Sequence, residues 1–249
     1  MFILNLLMYN FDMEINFAVA KINQYSFSES GDTLETVERP NGGISMVLAD
    51  CQFSGHDAKT ISTMIVRKVV SLLAEGVRDG AAARAASDAL YTEKEGKIPA
   101  SLNILSVDLQ TSTVVISRNS PTPIFIARGE EVECIGGDSE PIGSSRNVKP
   151  VITEFPLENG ITVVIYSEGV LNAGLNYNQS FDLCTLLSAT LEEERPSAQE
   201  IADTLLGQAI RLDQNRPEKD MAVVVLRITS EKNDQIRRMT VHLPVPPAQ

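Results

Sequence analysis

"VLADCQFSGHDAKT", Val47–Thr60, changes character twice within a short span. Its opening is an apolar, strand-like run that ends on an acid, Asp50. Small and polar residues follow. Between Ala58 and Ala74 the apolar positions Ile61, Met64, Ile65, Val69, Leu72 and Leu73 then recur at helical spacing. The stretch reads as strand, turn and helix, with a carboxylate delivered at the tip of the strand. A lone carboxylate in such a place is unfavourable unless a cation meets it. Ser54 and Asp57 have the spacing of a capping box, which puts His56 in the first turn of the helix rather than in a catalytic position.

Working outward, Ile15–Ile22, Thr33–Glu38 and Gly43–Ala49 read as strands, with "RPNGG" (Arg39–Gly43) as a hairpin turn. "DGAAARAASDALYTEKE" predicts a second, Ala-rich helix, with Gly76 and Gly80 as breaks before it. Short strands follow: "ASLNILSVDL", "STVVISRN", "TPIFIARG", "EEVECIG", "VITEFPL" and "GITVVIYS". Helices are expected around Phe181–Glu194 and over "SAQEIADTLLGQAIRL" after Pro196. The unbroken apolar run of "DMAVVVLRI" predicts an interior strand covered on both faces. "RRMTVHLPV" reads as a last strand before a Pro-rich end. Helices in two groups between antiparallel-type strands indicate an α+β layered fold in one domain.

The chain has 249 residues, 43% of them hydrophobic, enough for a sizeable core. A net charge of -12 excludes a nucleic-acid partner and disfavours anionic membrane surfaces, but suits divalent cations. The widely spaced Cys51, Cys134 and Cys184 form no CxxC pair and point to a reducing, cytoplasmic setting. "MFILNLLMYNF" lacks a basic n-region and soon meets Asp12 and Glu14, so it reads as neither signal peptide nor membrane span. It is either a docking segment or a stretch ahead of a true start at Met13. The expected organisation is a domain over 14–229, a short apolar segment over 1–13, and a strand with a Pro-rich tail over 230–249. That last strand could pair with a second copy of the chain through an open edge.

Asp32, Asp50, Glu168 and Asp220 all fall at strand ends or turns. Oxygen donors of this kind suit Mg²⁺ or Mn²⁺, and converging carboxylates could hold two such ions. Alternatively each is a solvated strand-end acid, and spacing alone does not decide. Cys51 as a nucleophile lacks both an Arg-rich phosphate loop and a paired His.

From about Tyr25 to Thr229 the chain resembles the PPM (type 2C) metal-dependent protein phosphatases, in their SpoIIE-like bacterial branch. The resemblance rests on "SGDT" (Ser30–Thr33), "ADCQFSGHDA" (Ala49–Ala58), the region from Ala100 to Gly129, "EPIGSS", "YSEGV" and "KDMAVVVLRI", six segments in the family's order. It implies an αββα four-layer sandwich of two antiparallel sheets with helices outside. It also implies a centre of two Mn²⁺ or Mg²⁺ ions. Asp50 would bridge both, the Cys51 carbonyl would bind one, Glu168 and Asp220 would complete the other, and Asp32 would lie nearby. Asp50 and Asp220 would thus carry the catalysis, in which a metal-bridging hydroxide attacks phosphoserine or phosphothreonine. The implied partner is a phosphorylated bacterial regulatory protein, such as an anti-sigma antagonist or a stressosome-type scaffold. With no sensor segment in view, the expectation is a stand-alone phosphatase. Cys51, Phe53, Glu168 and Lys219 depart from the family pattern, as do Ser120 and Thr122. They open a second reading, a catalytically impaired pseudophosphatase acting as a regulatory binding module.

Overall fold

A computed structural model describes residues 13–40, 42–51, 55–193, 195–230 and 236–244. The apolar segment before Met13, the loop residues Gln52, Phe53 and Ser54, and the last five residues of the Pro-rich end lie outside the described residues. The chain runs β1 (Glu14–Ile22), β2 (Thr33–Glu38), β3 (Gly43–Cys51), α1 (His56–Ala74), α2 (Asp79–Lys94), β4 (Ala100–Asp108), β5 (Thr113–Asn119), β6 (Ile124–Arg128), β7 (Glu131–Ile135) and β8 (Val151–Pro156). It continues through β9 (Ile161–Tyr166), α3 (Glu168–Leu171), α4 (Leu183–Leu191), α5 (Ala198–Leu212) and β10 (Met221–Thr229).

The strands form two antiparallel five-stranded sheets, ordered β1-β10-β9-β6-β7 and β2-β3-β4-β5-β8. Period-two alternation sorts their side chains into three apolar layers. In β3, Val47, Ala49 and Cys51 pack under α1 and α2 with Ile65, Val69, Ala86 and Leu90. Met46 and Leu48 face the other way, against Ile165, Val224 and Leu226 of the second sheet. In that second sheet, Val164, Val223 and Val225 pack on Leu187 of α4 and Ile201 and Leu205 of α5. The result is the αββα sandwich that the family resemblance implies. β10 is interior to its sheet, as its apolar run requires. Each fully buried aliphatic side chain in these layers is worth about 1.5–3 kcal/mol.

Local chemistry sets the boundaries. β3 runs two residues beyond its expected end at Ala49, so Asp50 and Cys51 lie in the ladder opposite Ser101 and Ala100. α1 opens on Gly55 at φ 95°, with no side-chain cap, rather than on Ser54. A Cβ at Gly55 would meet the Phe27 ring at 3.0 Å, so glycine serves the turn twice over. Gly80 is not a break. It sits in the first turn of α2 beneath Ile152, and Gly76 at φ 85° is the residue that ends α1. The expected box at Ser54 falls on a residue outside those described; among the described residues a capping box closes the start of α5, where Ser197 and Glu200 cap each other's backbone amides. Residues 236–244 form no strand. They run as irregular chain with Met239, Val241 and Leu243 exposed, because no sheet edge pairs with their backbone. Among the described residues no helix is long and apolar enough to cross a membrane.

One buried ion pair ties the β2–β3 turn to α2. Arg39 Nη1 lies 2.9 Å from Asp79 Oδ2, both side chains being 8% exposed. The Ser106 hydroxyl donates to the other Asp79 oxygen. Arg39→Met leaves the Asp79 charge buried and unpaired, and should cost about 3–5 kcal/mol in urea unfolding. Adding Asp79→Asn should recover a substantial part of that loss, and a strictly additive double variant would contradict the coupling.

Candidate metal centre

Strand parity brings the acids together. Between the sheets, β2 sends Leu34, β3 sends Met46 and Leu48, β9 sends Val163 and Ile165, and β10 sends Ala222 and Val224. Two residues beyond the ends of these runs, the same face carries Asp32, Asp50, Ser167 and Asp220. Registers extend the same way. Thr33 pairs with Ala49, so Asp32 falls opposite Asp50, one step past that pair. All three aspartates are buried, at 1%, 8% and 5% exposure.

Asp32 and Asp50 are poorly satisfied there. Both oxygens of Asp32 are buried without a hydrogen-bond partner. The Asp50 carboxyl lies within hydrogen-bonding reach, but two ionised carboxylates have no proton to share. Burial pushes the Asp32 carboxyl up to about 6, partly offset by the contact with Asp50. Burial and then the neighbouring Asp32 charge raise Asp50 well above the usual carboxylate range. The Glu168 amide donates to Asp50, 3.0 Å from Oδ2. Lys21 and Lys59 approach, but their ammonium groups donate to the Asp32 backbone carbonyl, at 2.9 and 3.2 Å, and not to the carboxylate.

Asp220 is differently placed. Its Oδ1 accepts the Gln24 amide at 2.9 Å and its Oδ2 the Gly31 amide at 2.8 Å. Its carboxylate therefore clamps the loop between β1 and β2 to the start of β10. Glu168 opens α3 just past the end of β9. Its carboxylate meets Lys219, with Nζ 3.4 Å from Oε2. Gly169 makes the approach of these segments possible, since a Cβ there would lie 2.0 Å from the Asp220 carbonyl oxygen.

The other candidate side chains point elsewhere, while the Cys51 backbone directly follows Asp50 at the end of β3. The Cys51 thiol is buried against helix α1, donating to the Ala58 carbonyl at 3.6 Å, and burial pushes it up to about 12. A thiol held this way, with burial opposing its ionisation, is a poor nucleophile. Ala100 gives its amide to Ile142, so the Cys51 carbonyl is not held by its ladder partner. The His56 side chain is 83% exposed beside Glu29. Ser120 and Thr122 share a 2.7 Å hydroxyl contact, and Thr122 donates to the Tyr166 carbonyl. Sequence reading missed Ser167, whose hydroxyl accepts the Ala222 amide at 2.9 Å and lies close enough to Asp32 to lower its proton affinity. Its position two residues after Ile165 was the available signal.

Among the described residues, no three His, Cys, Asp or Glu side chains converge on a single point as ligands. The Asp32–Asp50 pair nevertheless fits a hard divalent cation, with oxygen-only donors, two orphaned oxygens and uncompensated negative charge. Such ions commonly use one or two carboxylates and keep several waters. Glu168 faces the Lys219 ammonium and Asp220 accepts two backbone amides, so neither is among the buried oxygens left without a partner.

The family model of Stage II sporulation protein E (SpoIIE) matches residues 40–229. Stage II sporulation protein E of Bacillus subtilis (strain 168) is 26% identical over 200 residues, which is 80% of this chain and 24% of that protein. The chain spans about a quarter to a third of the length of the curated relatives it matches. The solved PP2C phosphatase domain of SpoIIE from Bacillus subtilis, with a fragment of its regulatory domain, superposes with a TM-score of 0.75 at 23% identity, covering 89% of this chain and 65% of that one. The catalytic domain of the serine/threonine protein phosphatase PstP, in complex with two manganese ions, superposes with a TM-score of 0.65 at 15% identity, covering 87% of this chain and 99% of that one. The sandwich is the PP2C phosphatase fold.

The carboxylate pair has a measurable signature in metal-free protein. The folded value for Asp32, about 6, lies above the unfolded value near 3.8, so the folded state holds the proton more tightly. Its contribution is fully present below the unfolded value and is lost as pH rises through about 6. Asp32→Asn should therefore raise metal-free stability at about pH 7.5 by on the order of 1–3 kcal/mol, with the gain gone near pH 4. Thermal unfolding of the two proteins across that range checks this. An equal change at both pH values would contradict it.

Proposed function

Because the chain belongs to the SpoIIE family, we propose that it is a metal-dependent protein phosphatase domain, hydrolysing phosphoserine or phosphothreonine on a bacterial signalling protein. The observation that carries this reading is the buried Asp32–Asp50 pair, which leaves two oxygens unsatisfied at the end of an otherwise well-packed sandwich. A fold tolerates such a pair only if a cation or a proton completes it. Asp50 and Asp32 would hold a Mn²⁺ or Mg²⁺ ion. When bound, that ion neutralises charge on the phosphoryl group and makes water nucleophilic at neutral pH.

The protein's own groups have separate tasks in this reading. The Glu168 amide orients Asp50 by its bond to Oδ2. Asp220 positions the loop that carries Gly31 ahead of Asp32. Lys219 lines a cleft of about 280 Å³ with Gly169, Asn172, Leu175, Asn176 and Glu218, next to the Glu168 residue whose amide bonds Asp50. A phosphorylated segment lying in that cleft would bring its dianion to the Lys219 ammonium. The partner is accordingly a phosphorylated regulatory protein, an anti-sigma antagonist or a stressosome-type scaffold.

A second reading is favoured by the Lys219–Glu168 ion pair, which neutralises one of the four carboxylates. The domain would then be a pseudophosphatase that binds a phosphoprotein without cleaving it. Hydrolysis of p-nitrophenyl phosphate and of a phosphothreonine peptide, with Mn²⁺ titrated in, separates the two. The phosphatase should turn over only with metal, and Asp50→Asn should lower its rate on the order of 100-fold or more. A folded protein inactive at every Mn²⁺ concentration would leave the binding module.

A further inference from the structure

The four acids near the centre are not equivalent, and their partners limit how many cations the site can take. Asp220 commits both oxygens to backbone amides. Those bonds turn the Asp220 carboxylate into the loop between β1 and β2, and among the described residues no three acidic, His or Cys side chains converge on one point. The Glu168 carboxylate is 15% exposed and is already faced by an ammonium, Lys219 Nζ, at 3.4 Å. A divalent ion placed on Glu168 would have to displace that lysine or sit against a like charge. Only Asp32 and Asp50 remain, and the two oxygens of Asp32 are the unpartnered ones.

We infer that this centre takes one divalent cation, on Asp32 and Asp50, and that the Lys219 ammonium, held by Glu168, is a built-in second positive charge. The inference rests on the metal-binding part of the phosphatase reading. Two-ion centres clamp a phosphoryl group from both sides. Here one side of the clamp is covalently part of the chain. The lysine side chain is 45% exposed and lines the adjoining cleft, so its charge is open to a phosphate oxygen while Glu168 fixes its direction. A lysine is a point charge with three donors and no coordination geometry of its own, so it can meet a phosphate oxygen from a range of directions.

The test counts ions on the full chain, by Mn²⁺ electron paramagnetic resonance with isothermal titration as a second measure. Wild type should bind one Mn²⁺ per chain and Asp50→Asn none. Lys219→Asp, which exchanges the ammonium for an oxygen ligand beside Glu168, should bind two. Lys219→Met should keep the single ion but lose affinity for inorganic phosphate by about tenfold. Its near-isosteric side chain provides a second variant should the aspartate disturb folding. Two ions in the wild-type protein would overturn the inference, as would none, or phosphate affinity unchanged in Lys219→Met. One ion without turnover would leave the inference standing and remove the phosphatase reading. Two ions with turnover would do the reverse.

Discussion

Two like charges facing each other in a dry place are the constraint around which this end of the molecule is organised. Asp32 and Asp50 meet because β2 and β3 pair in a register that puts them opposite one another, on the face turned between the sheets. Neighbouring groups support that juxtaposition from behind and relieve it only in part. Lys21 and Lys59 grip the Asp32 carbonyl, the Glu168 amide bonds Asp50, and Asp220 holds the incoming loop. The surrounding backbone is held and the Asp32 carboxylate is not, which is why the proposed function puts a cation at this point.

Much of this could be read in the sequence. Periodicity located the strands and helices, and the interior place of β10 followed from its unbroken apolar run. The same alternation that makes Met46 and Leu48 inter-sheet residues carries Asp50 to that face, as it does Asp220 after Ala222 and Val224 are counted back. What could not be read was how the acids divide their labour. The amides that occupy Asp220 come from Gln24 and Gly31, nearly 200 positions away in the chain, and no local pattern announces them. The Lys219–Glu168 contact is of the same kind, joining two segments that meet only because β9 and β10 are neighbours.

Elsewhere the differences were local and had local causes. Gly55 rather than Ser54 starts α1 because the turn there runs at positive φ beneath an aromatic ring. Gly80 reads as a break by composition, yet it lies in the first turn of a helix, where small size lets Ile152 pack above it. The stretch after Ser230 has the alternation of a strand, but alternation does not make a ladder, and residues 236–244 have no edge to join.

Gly169 has a bearing on how such a centre can be remodelled. Its missing side chain lets the backbone that follows β9 lie directly on the backbone that precedes β10. The framework of the centre is thereby set by main-chain contact, independent of what side chains stand next to it. Positions 168 and 219 flank that contact, one opening α3 and the other just ahead of β10, and their side chains meet beside it. On the one-ion inference, exchanging an ammonium for an oxygen ligand at position 219 leaves this main-chain contact in place.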